Sequence, residues 1–177
     1  DAAEQVDALQ SSLNTYEQFF SLFSESELAA QAWFYRGEAF YELSRLENGP
    51  ALRKRAAEAY QCVINDYPAS ALRRRAQFAY GTCLEEMADF VAAEKVYEGY
   101  LEEFPEDEKA DELRLRLADS LLQQGIAAKN AGDAEIAKTR FEQADKIYQR
   151  LIDTPRFSSI AAATYQRAYC SLLTGQY

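Results

Sequence analysis

The residues most able to do chemistry are few, and their spacing does not suit it. The sequence has no histidine, which removes the commonest general base at neutral pH and the commonest zinc ligand. Its three cysteines, Cys62, Cys83 and Cys170, have no CxxC spacing, and an odd count cannot pair off within one chain. Each lies in an apolar helical context, so they read as small buried hydrophobes. Adjacent carboxylates such as Glu85/Glu86 and Asp111/Glu112 point about 100° apart around a helix and cannot face one another as an acid–base pair must. The sequence shows no phosphate-cradling Gly-rich loop, no nucleophile elbow and no metal-ligand spacing. The expectation is therefore a non-enzyme with no catalytic residues, no metal site and no cofactor.

Charge narrows the partners. With 19 basic and 29 acidic residues the net charge is −10, which gives no footprint for nucleic acid. The basic runs Arg53–Arg55 and Arg73–Arg75 read as solvated faces. No apolar run approaches the length of a membrane span, so no direct membrane insertion is expected. The chain opens at Asp1 in mid-pattern, so a preceding leader stays open. Apolar residues make up 48% and there are only 7 Gly and 4 Pro, a balance that favours long helices around a real core.

Those helices are repetitive. Tyr16–Phe23, Tyr60–Tyr67, Tyr97–Phe104 and Tyr148–Pro155 each open with Tyr, place apolar residues at i+3 and i+4, and carry an aromatic or Pro at i+7, so one helical face is buried each time. Within Ala71–Pro105, residues Gly81, Leu84, Ala93, Tyr97 and Pro105 follow at intervals of 3, 9, 4 and 8. This spacing resembles the tetratricopeptide (TPR) repeat, a pair of helices A and B in which a small residue on A lets B approach closely. The resemblance implies an all-α fold, a right-handed solenoid of antiparallel helix pairs. We expect one solenoid over 1–177, with repeats at 1–24 (helix B only), 26–68, 69–105, 107–155 and 158–177 (helix A only). The predicted helices are Ala2–Ser24, Ser26–Leu46, Pro50–Asp66, Ala69–Met87, Asp89–Phe104, Asp107–Ala131, Asp133–Asp153 and Ser158–Thr174.

Two irregularities are expected. At Asn48-Gly49-Pro50, Gly49 suits the left-handed position that ends a helix and Pro50 the first turn of the next. Thirty positions separate Ala118 from Tyr148, where sixteen separate Gly81 from Tyr97; growth of both helices by about two turns keeps register. A second register of Gly125, Gly132, Ala137, Phe141 and Ala144 supports close packing through that extension, with a hairpin tip near Asn130–Asp133. Both ends look cut from a longer array. Tyr169, Leu172, Leu173 and Tyr177 are expected to form an apolar patch through which the C-terminal end self-associates or packs on a neighbour.

Helix B ends in an aromatic-Pro pair at Tyr67-Pro68 and Phe104-Pro105. In this the chain resembles a bacterial envelope branch of TPR proteins that includes the Tol–Pal-associated cell-division coordinator and the outer-membrane assembly lipoproteins. A periplasmic or envelope location is implied by that resemblance only. The wider resemblance also implies a concave groove lined by the A helices, at set positions around each small residue. These positions are Gln31, Phe34, Glu38, Tyr41 and Glu42; Arg75, Phe78, Thr82, Glu85 and Glu86; Glu112, Leu115, Asp119, Leu122 and Gln123; and Ala162, Tyr165, Tyr169, Leu172 and Leu173. Phe34, Phe78, Leu115 and Tyr165 would form a ladder with acidic flanks, suited to a peptide or helix of a partner protein. Glu38, Thr82 and Asp119 stand where carboxylate-clamping TPR proteins carry asparagine, which argues against capture of a C-terminal carboxylate. Trp33 falls at a large packing position. Two readings follow: a module that binds a protein partner in the groove, or an architectural segment of a longer scaffold.

Overall fold

The computed structural model describes residues 1–155 and 157–175. Among the described residues the chain is all-α, with eight helices and no strand. They are α1 (Ala2–Phe23), α2 (Ala29–Leu46), α3 (Pro50–Asp66), α4 (Arg73–Glu86), α5 (Phe90–Glu103), α6 (Ala110–Ala131), α7 (Ala134–Ile152) and α8 (Ile160–Thr174). Local chemistry fixes several starts. Asp1 accepts from the Glu4 N–H at 3.0 Å while Glu4 returns a bond to the N-terminus, Asp89 accepts from the Ala92 N–H at 3.1 Å, and Pro50 occupies the first turn of α3. These contacts satisfy N–H groups that have no partner inside the helix.

Helices α2, α4 and α6 begin about one turn later than the apolar pattern suggests. Ser26, Ser70 and Asp107 each donate a backbone N–H to the carbonyl of the aromatic residue three before, Phe23, Tyr67 or Phe104, at 3.0, 2.9 and 3.2 Å. Their side-chain oxygens then accept from the N–H two residues on, at Leu28, Leu72 and Lys109, at 3.2, 3.2 and 2.8 Å. A side chain that captures its own backbone in this way competes with helix, so each of these helices starts three residues later. Thr154 and Phe157 repeat the backbone part of the joint at 3.3 Å.

The turn before α3 corrects another expectation. Asn48, with φ 49°, takes the left-handed position, and Gly49 is extended at φ −100°. The Gly49 N–H reaches back to the Ser44 carbonyl at 3.0 Å, closing α2 with asparagine, whose short polar side chain tolerates this conformation.

The chain forms two compact units, Asp1–Ala88 and Asp89–Tyr177; the boundary falls between the two helices of the 69–105 repeat. In the first unit α1 packs on α2, α2 on α3 and α3 on α4. Its core holds Leu13, Phe34, Phe40, Leu43, Tyr60, Val63 and Cys83. The Tyr60 ring lies so close to Gly37 that a Cβ there would sit 2.7 Å from it. Trp33, expected at a packing position, is half-buried and stacks on Phe20 at 4.3 Å between ring centroids.

In the second unit α5 packs on α6, α6 on α7 and α7 on α8. Helix α7 buries Ala137, Phe141, Ala144, Tyr148 and Leu151, a single stripe at helical spacing. The second register is present: a Cβ on Gly125 would meet the Phe141 ring at 2.5 Å. Gly125 lies seven residues beyond Ala118, and Phe141 seven before Tyr148, so the two contacts are about two turns apart along the hairpin. Gly132, at φ 88°, closes α6 in the left-handed conformation.

Gly125→Ala is predicted to cost about 1–3 kcal/mol, because the Phe141 ring must shift in a filled core. Gly99, in the middle of α5, has nothing within 4 Å of its missing Cβ, and Gly99→Ala is predicted to stabilise by about 0.5–1 kcal/mol. Urea denaturation of the two variants checks the contrast.

Candidate functional site

In the first unit the expected partner-facing residues divide into those used by the fold and those left at the surface. Phe34 is only 1% exposed. Its ring lies 5.7 Å from that of Tyr60, and the Arg75 guanidinium covers it at 4.6 Å from the centroid. The physical reason is register: Phe34 precedes Gly37 by three residues, so both occupy the helix face that α3 covers. Tyr35 beside it is 47% exposed and meets Phe34 edge-on at 5.4 Å. Arg75 is exposed, and Phe78 and Glu85 are half-buried.

The expected groove carboxylates have intramolecular duties. Glu38 accepts the Tyr60 hydroxyl at 2.6 Å. Tyr41 donates to Glu86 Oε1 at 2.7 Å, and Arg53 Nε reaches Glu86 Oε2 at 2.8 Å, so Glu86 joins α2, α3 and α4. Burial, then the Glu86 carboxylate, pushes the Tyr41 phenol up to about 12. Thr82 donates its hydroxyl to the Phe78 carbonyl at 3.2 Å.

The second unit repeats the phenol–carboxylate motif. Tyr148 is fully buried and donates to Asp119 Oδ1 at 2.6 Å. Burial raises the Asp119 pKa, with the Tyr148 hydrogen bond and Arg116 opposing it. Burial also raises the phenols of Tyr60 and Tyr148, reinforced by their acidic partners. Leu115 is half-buried and Leu122 buried. Tyr165 is 72% exposed, and Tyr169 and Leu172 are exposed beside it, with Leu173 half-buried. Tyr177, expected in the same patch, lies outside the described residues.

One cluster went unread in the sequence. Glu94 on α5 is buried and accepts from Gln124 at 2.8 Å and from Arg140 at 2.8 Å, linking α5 to both helices of the long hairpin. Its position next to the small residue Ala93 was the available signal.

The thiols are those of structural cysteines. Cys83 and Cys170 are buried and Cys62 half-buried. Burial, then nearby carboxylates, pushes Cys83 up to about 12 and Cys170 to about 11, and burial raises Cys62 as well. Such thiols are protonated at neutral pH, and Cys83 and Cys170 are also shielded from reagents by burial. Among the described residues no helix is long and apolar enough to cross a membrane.

Close aromatic-on-glycine contacts, phenol–carboxylate pairs and turns repeated at each joint between helix pairs together describe one repeating unit. Two family models match the chain, both described as tetratricopeptide repeat, over residues 1–61 and 75–107. These stretches are tetratricopeptide repeats. No curated protein matches the chain. TPR repeats generally mediate contacts between proteins, and TPR proteins are typically non-enzymatic scaffolds. In these terms Gly37 and Tyr60 are the small and large members of the first complete TPR hairpin.

A pH prediction follows from Asp119. Its carboxyl is raised in the fold above the ordinary 3.8, so its contribution to stability is complete below 3.8 and is lost as pH rises through the raised value. Asp119→Asn keeps an acceptor for Tyr148 without a buried charge. It is predicted to be at least as stable as the parent at pH 7, with the difference closing as pH falls towards 4, by urea denaturation at a series of pH values. A thiol reagent at pH 7 is predicted to modify Cys62 first, and Cys83 and Cys170 only on unfolding.

Proposed function

We propose that this chain is a non-enzymatic interaction module, and that the A-helix surface of its first unit holds a peptide or helix of a partner protein. The observation that carries this reading is the cluster on α2 and α4. Tyr35 is exposed beside Phe34, and the exposed guanidinium of Arg75 lies over the Phe34 ring. A partner side chain that displaces Arg75 gains the Phe34 ring face, and Tyr35 supplies a rigid aromatic contact at low entropic cost. Half-buried Phe78 adds apolar surface. The carboxylates Glu38, Glu42, Glu85 and Glu86 favour a neutral or basic segment and repel a terminal carboxylate.

A second reading, of an architectural or self-assembling segment in a longer scaffold, is favoured by the exposed Tyr165, Tyr169 and Leu172 on α8. A periplasmic or envelope setting rests on the two aromatic-Pro pairs alone.

A photo-crosslinking residue at Tyr35 or Phe78 is expected to capture a partner protein, while the same residue at the exposed Lys54 of α3 captures none. Phe78→Glu is expected to weaken that capture at least tenfold with helicity unchanged by circular dichroism. Equal capture from all three positions, or no effect of Phe78→Glu, would overturn the reading.

A further inference from the structure

Two arginines of the first unit are held in place without being hydrogen-bonded. On α2, Trp33, Arg36 and Phe40 recur at i, i+3 and i+7 and share one stripe of the helix. Phe20 of α1 stacks on Trp33, and the Arg36 guanidinium sits among the three rings, 5.0 Å from the Trp33 centroid, 5.4 Å from Phe40 and 5.7 Å from Phe20. Arg55 of α3 covers Phe40 at 4.3 Å. Aromatic faces position both guanidiniums and leave their N–H groups unused.

Among the described residues neither guanidinium makes a hydrogen bond, and Arg36 Nε is buried with no partner. The carboxylate that pairs with them, Glu17, reaches both through one oxygen. Its Oε1 lies 3.8 Å from Arg36 and 3.7 Å from Arg55, beyond hydrogen-bond range. The Glu17 side chain is 58% exposed, whereas that of Arg36 is 17% exposed. Burial, then Arg55, lowers the Arg36 pKa, with Glu17 and Cys62 opposing it. One loosely held carboxylate therefore faces two positive charges. The rest of the basic run is engaged elsewhere: Arg53 is held by Glu86 at 2.8 Å and Lys54 faces Glu58 at 4.0 Å.

We propose that Arg36 and Arg55 form an anion site that takes a phosphate group in the place held by Glu17. A ligand carboxylate would only replace Glu17 like for like, against an intramolecular group of high effective concentration. A phosphate dianion matches both positive charges and has enough oxygens to accept from each guanidinium, at the short range that the Glu17 contacts lack. Exposed Glu17 swings into solvent as the phosphate enters. The partly desolvated surroundings of Arg36 make each new bond stronger than in open water. One such pair holds a single phosphate group and makes no track for a nucleic-acid backbone. The site uses none of Phe34, Tyr35, Arg75 or Phe78, so it stands or falls separately from the partner surface proposed above.

Trp33 is the single tryptophan of the sequence and lies in the site, so its fluorescence reads binding directly. Titration with inorganic phosphate is expected to shift it saturably, where acetate and chloride at matched ionic strength do not. Glu17→Gln removes the competitor at an exposed position and is expected to tighten binding about threefold. Arg55→Gln, also at an exposed position, is expected to weaken it about tenfold with helicity unchanged by circular dichroism. Tighter binding of N-acetyl phosphoserine amide than of the free ion assigns the site to a phosphorylated side chain, and the reverse order assigns it to phosphate itself; both support it. A response that chloride or acetate reproduces, that Arg55→Gln leaves unchanged, or that Glu17→Gln weakens overturns the proposal.

Discussion

A tyrosine ring seated on a small residue of the preceding helix, with its hydroxyl on the carboxylate one position further along, sets the geometry on which this protein depends. Tyr60, Gly37 and Glu38 make that arrangement in the first unit, and Tyr148 and Asp119, next to the buried Ala118, carry its polar part in the second. The small residue lets the helices close; the ring fills the space and removes about 150–250 Å² from water. The phenol would be costly to bury unpaired, and a carboxylate acceptor makes its hydrogen bond a charge-assisted one. In the long hairpin the ring-on-glycine part recurs at Gly125 and Phe141 without the acid, because Ile126 follows Gly125.

That arrangement also decides which residues are left for a partner. Phe34, three residues before Gly37, shares its face and is drawn into the hairpin, and Glu38 and Asp119 are held by phenols, whereas Phe78 and Leu115 at the corresponding positions stay half-buried. The recognition surface proposed for the first unit lies between these stripes. Tyr35 occupies such a position, and Arg75 reaches the same place from the next first helix. On α8, Tyr165, Tyr169 and Leu172 are exposed.

Much of the fold was legible because it rests on spacing. The two-turn offset between the Ala118/Tyr148 and Gly125/Phe141 pairs gave the long hairpin. The pattern could not show which short polar side chain would turn back on its own backbone, so Ser26, Ser70 and Asp107 were read as helix when they end the turns before it. Asn48 and Gly49 compete for one left-handed position, and sequence favoured the glycine. The candidate site was less legible. Glu38 and Asp119 read as groove carboxylates because their phenol partners lie 22 and 29 residues away on another helix, a distance that periodicity within one helix does not reach.

The most direct test of the central contact is a double-mutant cycle on Glu38→Ala and Tyr60→Phe, with unfolding free energies from urea denaturation. The structure predicts strong coupling: either single change should cost much of what the pair costs together, with an interaction energy of about 1–3 kcal/mol. Additivity of the two changes to within about 0.3–0.5 kcal/mol would mean that the phenol–carboxylate bond does not hold the hairpin, and would contradict this account of the fold.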